Sequence, residues 1–340
     1  MDKSFKLSLL ISSFIIVMAN NADALVPALY VFGDSGVDAG NNNFLKTPAK
    51  ADKWPYGIDL NNNTRGRFTN GKNAADFIAM LLNLPMPPPY LSLSEVERSR
   101  LITGINYGSG SCGILNTTRA GECLSLGKQI EYFTSTATTD LPKAIKRPPK
   151  LRRHLAKSMY LVLIGSNDYN NMVNNGVRNK FTPQDFAQYL VEEMTNHIKK
   201  LYDVGARKFL VSTFASCEPK TYVPESCESN YYTEKLVDRL QELQANLFGS
   251  LFTIYDGRKL FARIHENPKQ FGITYLDVPC CEDASIVCAN RSEHTTFDKL
   301  GHPTEAIYKI VALDCFYGST CLPLSLSQLA NAPSFLPLGN

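Results

Sequence analysis

The chain has 340 residues, 44% of them hydrophobic and 20% charged, with a formal net charge of +3. That length permits one large α/β domain or two small ones. The near-balanced charge gives no reason to expect nucleic acid or an anionic membrane as partner, and no Pro- or Gly-rich linker, internal repeat or low-complexity tract divides the chain.

Lys3 and Lys6 precede an apolar stretch over 7–18, and Ala22-Asp23-Ala24 then supplies small residues. Charge, a short apolar core and an A-x-A pattern predict a secretory signal peptide over 1–24, cut after Ala24 and too short to span a bilayer. The remainder, 25–340, is expected to be one exported domain without stable membrane insertion; no feature demands an oligomer, so a monomer is expected.

Nine cysteines suit an oxidising compartment. Cys112 lies near Cys123, Cys217 near Cys227, Cys280 and Cys281 near Cys288, and Cys315 near Cys321. The spacing does not fix connectivity, and the odd count leaves one thiol over. Zinc on Cys280, Cys281, Cys288 and His294 would need a spacing that matches no familiar zinc pattern, so no metal is expected. Sequons at Asn62, Asn116 and Asn290, each in a polar stretch, predict glycosylated surface loops.

The first apolar run, 28–32, ends in Gly33-Asp34-Ser35 and a tail of Gly and Asn that cannot continue a strand. A parallel strand delivers a serine in this way to the carboxyl edge of a sheet, where open α/β folds place reactive groups. Trp54-Pro55-Tyr56 and the segment 87–90 could line an apolar acyl groove or simply pack. A short helix is expected over 74–82 and a weaker strand over 102–107. The basic run 143–153, interleaved with prolines, reads as a solvated connection. Buried strands are expected at 159–164, at 209–211 extending to Phe214, and at 273–278, because near-continuous hydrophobicity marks parallel strands covered on both faces. Helical spacing recurs through Phe186, Leu190, Met194, Ile198 and Leu201, with Gly205 as a stop, and through Leu236, Leu240, Leu243, Leu247 and Leu251. Strands alternating with amphipathic helices predict a parallel sheet covered on both sides.

A nucleophilic Ser35 needs a base, a group to orient the base, and donors where negative charge develops. Of the five histidines, His154, His197 and His265 lie in helical or basic surroundings, and His294 lies in a polar loop without distinctive context. His302 precedes Pro303, which biases it toward extended backbone, and a helix begins just beyond. Asp298, four residues earlier, could accept the other ring proton. Asn167, in Gly165-Ser166-Asn167-Asp168 after a buried strand, falls at the same sheet edge as Ser35 and carries a neutral donor. Gly113 could offer its backbone N–H with no side chain in the way. Gly108-x-Gly110-x-x-Gly113 has dinucleotide-turn spacing, but the residues from Leu115 to Gly121 are polar and turn-like and do not open a helix, so no nucleotide cofactor is expected. The G-x-S-x-G elbow is absent around Ser35, because position 37 is valine.

In order along the chain, Gly33-Asp34-Ser35 with Asp38-Ala39-Gly40-Asn41-Asn42, then Gly66-Arg67-Phe68-Thr69-Asn70-Gly71-Lys72-Asn73-Ala74-Ala75-Asp76-Phe77, Pro87-Pro88-Pro89-Tyr90-Leu91, the stretch 106–115, Gly165-Ser166-Asn167-Asp168-Tyr169 and His302-Pro303-Thr304-Glu305 resemble the blocks of the plant GDSL esterase/lipase family, within the SGNH hydrolases. The resemblance implies a three-layer α/β/α, flavodoxin-like fold with a mainly parallel five-stranded sheet. It implies hydrolysis of acyl esters of small molecules, lipids or polymers without metal or organic cofactor, in the apoplast or cell wall. Ser35 would be nucleophile, His302 general base and then acid, and Asp298 its orienter. The Ser35 and Gly113 amides and the Asn167 side chain would form the oxyanion hole. Two rival readings are an acyltransferase with the same site, and a secreted binding or defence protein with impaired catalysis. Two positions depart from the family pattern: Gly36 stands where leucine is usual, and Lys299 occupies the usual aspartate position, three before the histidine.

Overall fold

The computed structural model describes residues 23–60, 66–170, 180–213, 229–283 and 286–334. Asn62, Phe214, Cys217, Cys227 and the expected leader, apart from Asp23 and Ala24, lie outside the described residues.

Strands β1 (Leu29–Gly33), β2 (Met159–Leu163), β3 (Lys208–Thr213) and β4 (Leu251–Asp256) pair in parallel in that order. A smaller sheet holds β5 (Tyr275–Asp283) between β6 (Ile286–Val287) and β7 (His294–Asp298). The two-residue β8 (Cys321–Leu322) closes the main sheet antiparallel to β4. Along the other edge of β1, residues 103–109 add a parallel neighbour. The Leu29 N–H donates to the Thr103 carbonyl at 3.1 Å, Tyr107 N–H to Val31 at 2.8 Å, and Ser109 N–H to Gly33 at 2.9 Å. Counted in chain order, the parallel segments then lie second, first, third, fourth, fifth. That is the flavodoxin-like arrangement, whose order reverses beside β1, where open α/β sheets leave a crevice.

The longer helices are α1 (Ala74–Leu81), α2 (Leu126–Ser135), α3 (Pro148–Lys157), α4 (Pro183–Val204), α5 (Ser229–Asn246), α6 (Gly257–Glu266) and α7 (Glu305–Tyr317). Strand alternation splits the core into two slabs. Tyr30, Phe32, Tyr160, Val162, Phe209 and Val211 face α2, α4 and α5. Leu29, Val31, Met159, Leu161 and Leu210 face α1, α6 and α7. Full burial of each such side chain stabilises by about 1.5–3 kcal/mol. The three layers arise from strands that are apolar on both faces.

Three expectations need correction. The run beginning at Ile273 enters the small sheet as β5, and the last parallel strand of the main sheet is β4. The leucine stripe read as helical through Leu251 ends with α5 at Asn246, Gly249 turns the chain at φ 74°, and Leu251 opens β4. Residues 148–153 of the basic run open helix α3, which continues to Lys157, with Pro148 in a first-turn position where its missing N–H costs nothing.

Segment 66–76 braces the fold around the β1 loop. Arg67 forks onto Asp76 with N···O distances of 2.5 and 2.8 Å, both side chains buried, and reaches the Ala39 carbonyl. Asn73 caps α1 in a reciprocal box with Asp76 and donates to the Asp38 carbonyl at 3.0 Å. Arg67→Met keeps most of the volume and leaves a buried carboxylate without its cation. Urea unfolding should show a loss of about 3–5 kcal/mol, and a loss below about 1 kcal/mol would mean that the pair braces nothing.

Candidate active site

The chain leaves β1 through a turn over 34–38. Val37 and Asp38 N–H donate to the Asp34 carbonyl at 3.2 and 2.9 Å, and Gly36 N–H donates to Asp34 Oδ1 at 3.0 Å. Ser35 rides half-buried on this turn. Asp34 also accepts from the Ser166 hydroxyl at 3.2 Å, tying the turn to the short helix Ser166–Asn170 after β2. Burial pushes the Asp34 carboxyl up to about 6, against the pull of Gly36, Ser166 and nearby His302.

Asn167 sits in that short helix, entered through Gly165 at φ 133°. Its Nδ2 donates one proton to the Cys112 carbonyl at 2.9 Å, which leaves the other for a ligand. Gly113 follows Cys112 directly. Among the described residues, neither the Gly113 N–H nor the Ser35 N–H donates to a protein acceptor. Beneath Gly113, the buried Asp168 accepts from the Ile114 and Leu115 N–H groups at 2.8 and 3.2 Å and from Thr118 Oγ1 at 2.6 Å. Burial pushes Asp168 up to about 6, the three donors pulling the other way. A Cβ on residue 113 would collide with that carboxylate, so a larger residue there forces Asp168 or the loop to shift.

Asp298 ends β7, and a tight turn comes next. Gly301 takes φ 87° and its N–H returns to the Asp298 carbonyl at 3.0 Å. Phe297 N–H then pairs with the His302 carbonyl at 2.7 Å, which makes a hairpin. Within it, His302 Nδ1 meets Asp298 Oδ2 at 2.7 Å, so the extra loop residue is absorbed by the left-handed glycine and the pair is in contact. Tyr56 donates its hydroxyl to the same Oδ2 at 2.8 Å. Burial alone would raise the Asp298 carboxyl, but His302 and Tyr56 outweigh it and hold it below the ordinary carboxylate value. An ionised Asp298 makes Nδ1 the donor and turns the Nε2 lone pair outward. Among the described residues, His302 Nε2 and Ser35 Oγ make no hydrogen bond, to each other or elsewhere. Such bonds are often long before substrate binds.

Segment 66–76 holds the two halves together. The Phe68 ring packs on His302 with centroids 5.1 Å apart, and its edge fills the space where a side chain on Gly110 would go. Asn70 accepts from the Glu305 N–H at 2.8 Å, and Lys72 reaches Glu305 Oε1 at 3.2 Å. Buried Asp38 accepts from the N–H groups of Gly40, Asn41 and Gly110 at 2.7, 2.8 and 3.0 Å. Asn106 Nδ2 donates to the Val37 carbonyl at 2.7 Å, and Gln129 grips both the N–H and the carbonyl of Gly33. Sequence reasoning offered Tyr56 only as a groove-lining or packing aromatic and assigned no role to Phe68, Asn70 or Glu305. For Phe68, Asn70 and Glu305 the only signal was their place inside the ordered blocks.

The remaining candidates lie elsewhere. His154 bonds Tyr30, His265 bonds Asp277, and His294 stacks on Tyr275. Burial pushes the His154 and His197 rings down to about 4. Disulfides join Cys112 to Cys123, Cys280 to Cys288 and Cys315 to Cys321. The second of these uses two ligands of the zinc alternative. Asn116 and Asn290 are exposed, although the Thr118 hydroxyl of the Asn116 sequon is engaged on Asp168.

Gly113→Ala should destabilise the fold by about 1–3 kcal/mol through overpacking against Asp168. An unchanged urea midpoint would show that this loop yields freely.

The model of the GDSL-like Lipase/Acylhydrolase family matches residues 29–314, a span that includes Ser35, Gly113, Asn167, Asp298 and His302. A GDSL esterase/lipase of Arabidopsis thaliana is 35% identical over 347 residues, covering 91% of each chain. GDSL esterase/lipase 7 of the same plant is 32% identical over 345 residues, covering 90% of this chain and 92% of its own. A third Arabidopsis GDSL esterase/lipase is 32% identical over 345 residues, covering 93% of this chain and 88% of its own. Likeness of this extent, with the ordered blocks folded around one rim of the sheet, makes this chain a member of the GDSL-like lipase/acylhydrolase family of ester-hydrolysing enzymes.

Proposed function

We propose that this enzyme is an exported serine esterase that cleaves carboxylic esters through a covalent acyl-enzyme. The observation that carries the reading is the hydrogen-bonded His302–Asp298 pair, braced by Phe68 and Glu305 against the Ser35 and Gly113 loops. Ser35 Oγ attacks the ester carbonyl carbon while His302 Nε2 takes its proton. The resulting oxyanion is met by the Ser35 and Gly113 N–H groups and the second Nδ2 proton of Asn167. Collapse breaks the ester bond, and His302 returns the proton to the leaving alcohol. A water, deprotonated by His302, then attacks the acyl carbon; the bond to Ser35 Oγ breaks, His302 returns the proton to that oxygen, and the acid leaves.

Export is supported by the leader-like first residues and by three disulfides, which persist in oxidising compartments. Among the described residues no helix is long and apolar enough to cross a membrane. Substrates are acyl esters of small molecules, lipids or polymers. Of the two reasons for suspecting impaired catalysis, the displaced aspartate loses its force, because Asp298 and His302 are 2.7 Å apart.

Ser35→Ala should abolish hydrolysis of a short p-nitrophenyl ester and labelling by a fluorophosphonate, with the melting temperature unchanged. Wild-type turnover in that variant would remove Ser35 as nucleophile. Asn167→Ala should lower kcat by about 10²–10³, and a change under threefold would take Asn167 out of the oxyanion site. Products formed with an added alcohol separate hydrolysis from transfer: free acid alone, at every alcohol concentration, excludes the acyltransferase.

A further inference from the structure

The Asp298 carboxylate has all four of its acceptor positions filled. Oδ1 takes the Leu300 and His302 N–H groups at 3.0 and 3.2 Å, while Oδ2 takes His302 Nδ1 at 2.7 Å and the Tyr56 hydroxyl at 2.8 Å. The first three donors belong to Asp298's own hairpin and move with it. Tyr56 comes from a distant part of the chain and is anchored on Phe68 and Thr69 as well as on the hairpin's own Phe297. Its ring meets Phe68 and Phe297 edge-on at centroid distances of 5.9 and 5.7 Å, and the adjacent Gly57 N–H donates to the Thr69 carbonyl at 2.9 Å.

We propose that Tyr56 is a positioning residue for the reaction: its hydroxyl fixes the rotation of the Asp298 carboxylate, and so the plane and outward aim of the His302 imidazole. The inference rests on the Ser35–His302–Asp298 mechanism proposed above. Without the hydroxyl, Oδ2 keeps one donor and the carboxylate can turn about its Cβ–Cγ bond, so His302 Nε2 points less often toward Ser35. A second consequence is electrostatic. The Tyr56 proton draws negative charge from the oxygen that must stabilise the imidazolium, and its loss makes that oxygen a stronger partner for protonated His302. The acid limb of the rate profile then moves to higher pH. Among the described residues, Asp34 from the β1 turn faces His302, Tyr308 from α7 faces Asp298 and Cys281 from β5 faces Tyr56, and none of them changes in the test.

Tyr56→Phe keeps the ring and deletes the hydroxyl. With a p-nitrophenyl ester, well below each variant's melting temperature, kcat should fall about tenfold with KM nearly unchanged. The acid limb of kcat/KM should rise measurably in pH. Repeated in an Asp298→Asn background, Y56F should cost less than about twofold, because Tyr56 acts only through Asp298. Equal losses in both backgrounds, or an unmoved acid limb, would overturn the assignment. Ser35→Ala run alongside distinguishes the two failures. An active S35A sinks the underlying mechanism, whereas an inert S35A with wild-type Y56F sinks only the role of Tyr56.

Discussion

Phe68 and its neighbours bear the main mechanical task in this molecule. The mechanism proposed for this chain needs groups from both ends of the chain within hydrogen-bond reach of one carbon, and a parallel sheet places them only on a common rim. Segment 66–76 narrows that placement. Asn73 and Arg67 hold the carbonyls of Asp38 and Ala39 behind the serine turn, while Asn70 and Lys72 hold Glu305 at the start of α7. Phe68 lies between, touching His302 on one side and filling the side-chain space of Gly110 on the other. The buried Arg67–Asp76 pair stiffens the segment itself.

Carboxylates organise the loops by a common device. Asp38, Asp168 and Asp298 each accept at least two backbone N–H groups from the turn they stabilise. Buried N–H groups must find acceptors, and a carboxylate can satisfy several at once where no strand or helix is available. Burial pushes Asp38 and Asp168 up to about 6, whereas Asp298, facing an imidazole and a phenol, is held low. Two of these aspartates shape backbone, and the third also keeps charge where an imidazolium would form.

The sequence showed its regular elements wherever one period dominated. β1 and α4 lie close to where their apolar patterns put them, and Gly205 ends α4 as a C-cap at φ 123°. β4 was hidden because Leu247 and Leu251 continue a helical leucine spacing across a bend that Gly249 creates. β5 reads like any other apolar strand, and only its partners assign it to the small sheet. Ser35, Asn167 and His302 stood out as candidates because each lies where the residue type changes abruptly, after an apolar run or just before a helix, and Gly113 because no side chain blocks its N–H. The Asp298–His302 contact was not, since it depends on a left-handed residue at Gly301 and on hairpin pairing outside the two side chains. Tyr56 was visible only as an aromatic suited to lining a groove; no spacing rule links it to an acid so far along the chain.

Gly36 illustrates what the departure from leucine does and does not touch. The serine turn is fixed by Asp34, whose carbonyl takes the Val37 and Asp38 N–H groups and whose Oδ1 takes the Gly36 N–H. None of those bonds involves a side chain at position 36. A Cβ there would lie 3.1 Å from Leu163 Cδ2 and 3.7 Å from the Tyr308 hydroxyl, so a leucine would extend between β2 and α7. Glycine therefore removes packing atoms from the seam beneath the turn, where Tyr308 keeps a buried hydroxyl with no hydrogen-bond partner among the described residues. The backbone that presents Ser35 is set by Asp34 and by its tie to Ser166. A small residue after the serine thus loosens a seam between layers while the turn carrying Ser35 keeps every hydrogen bond that shapes it.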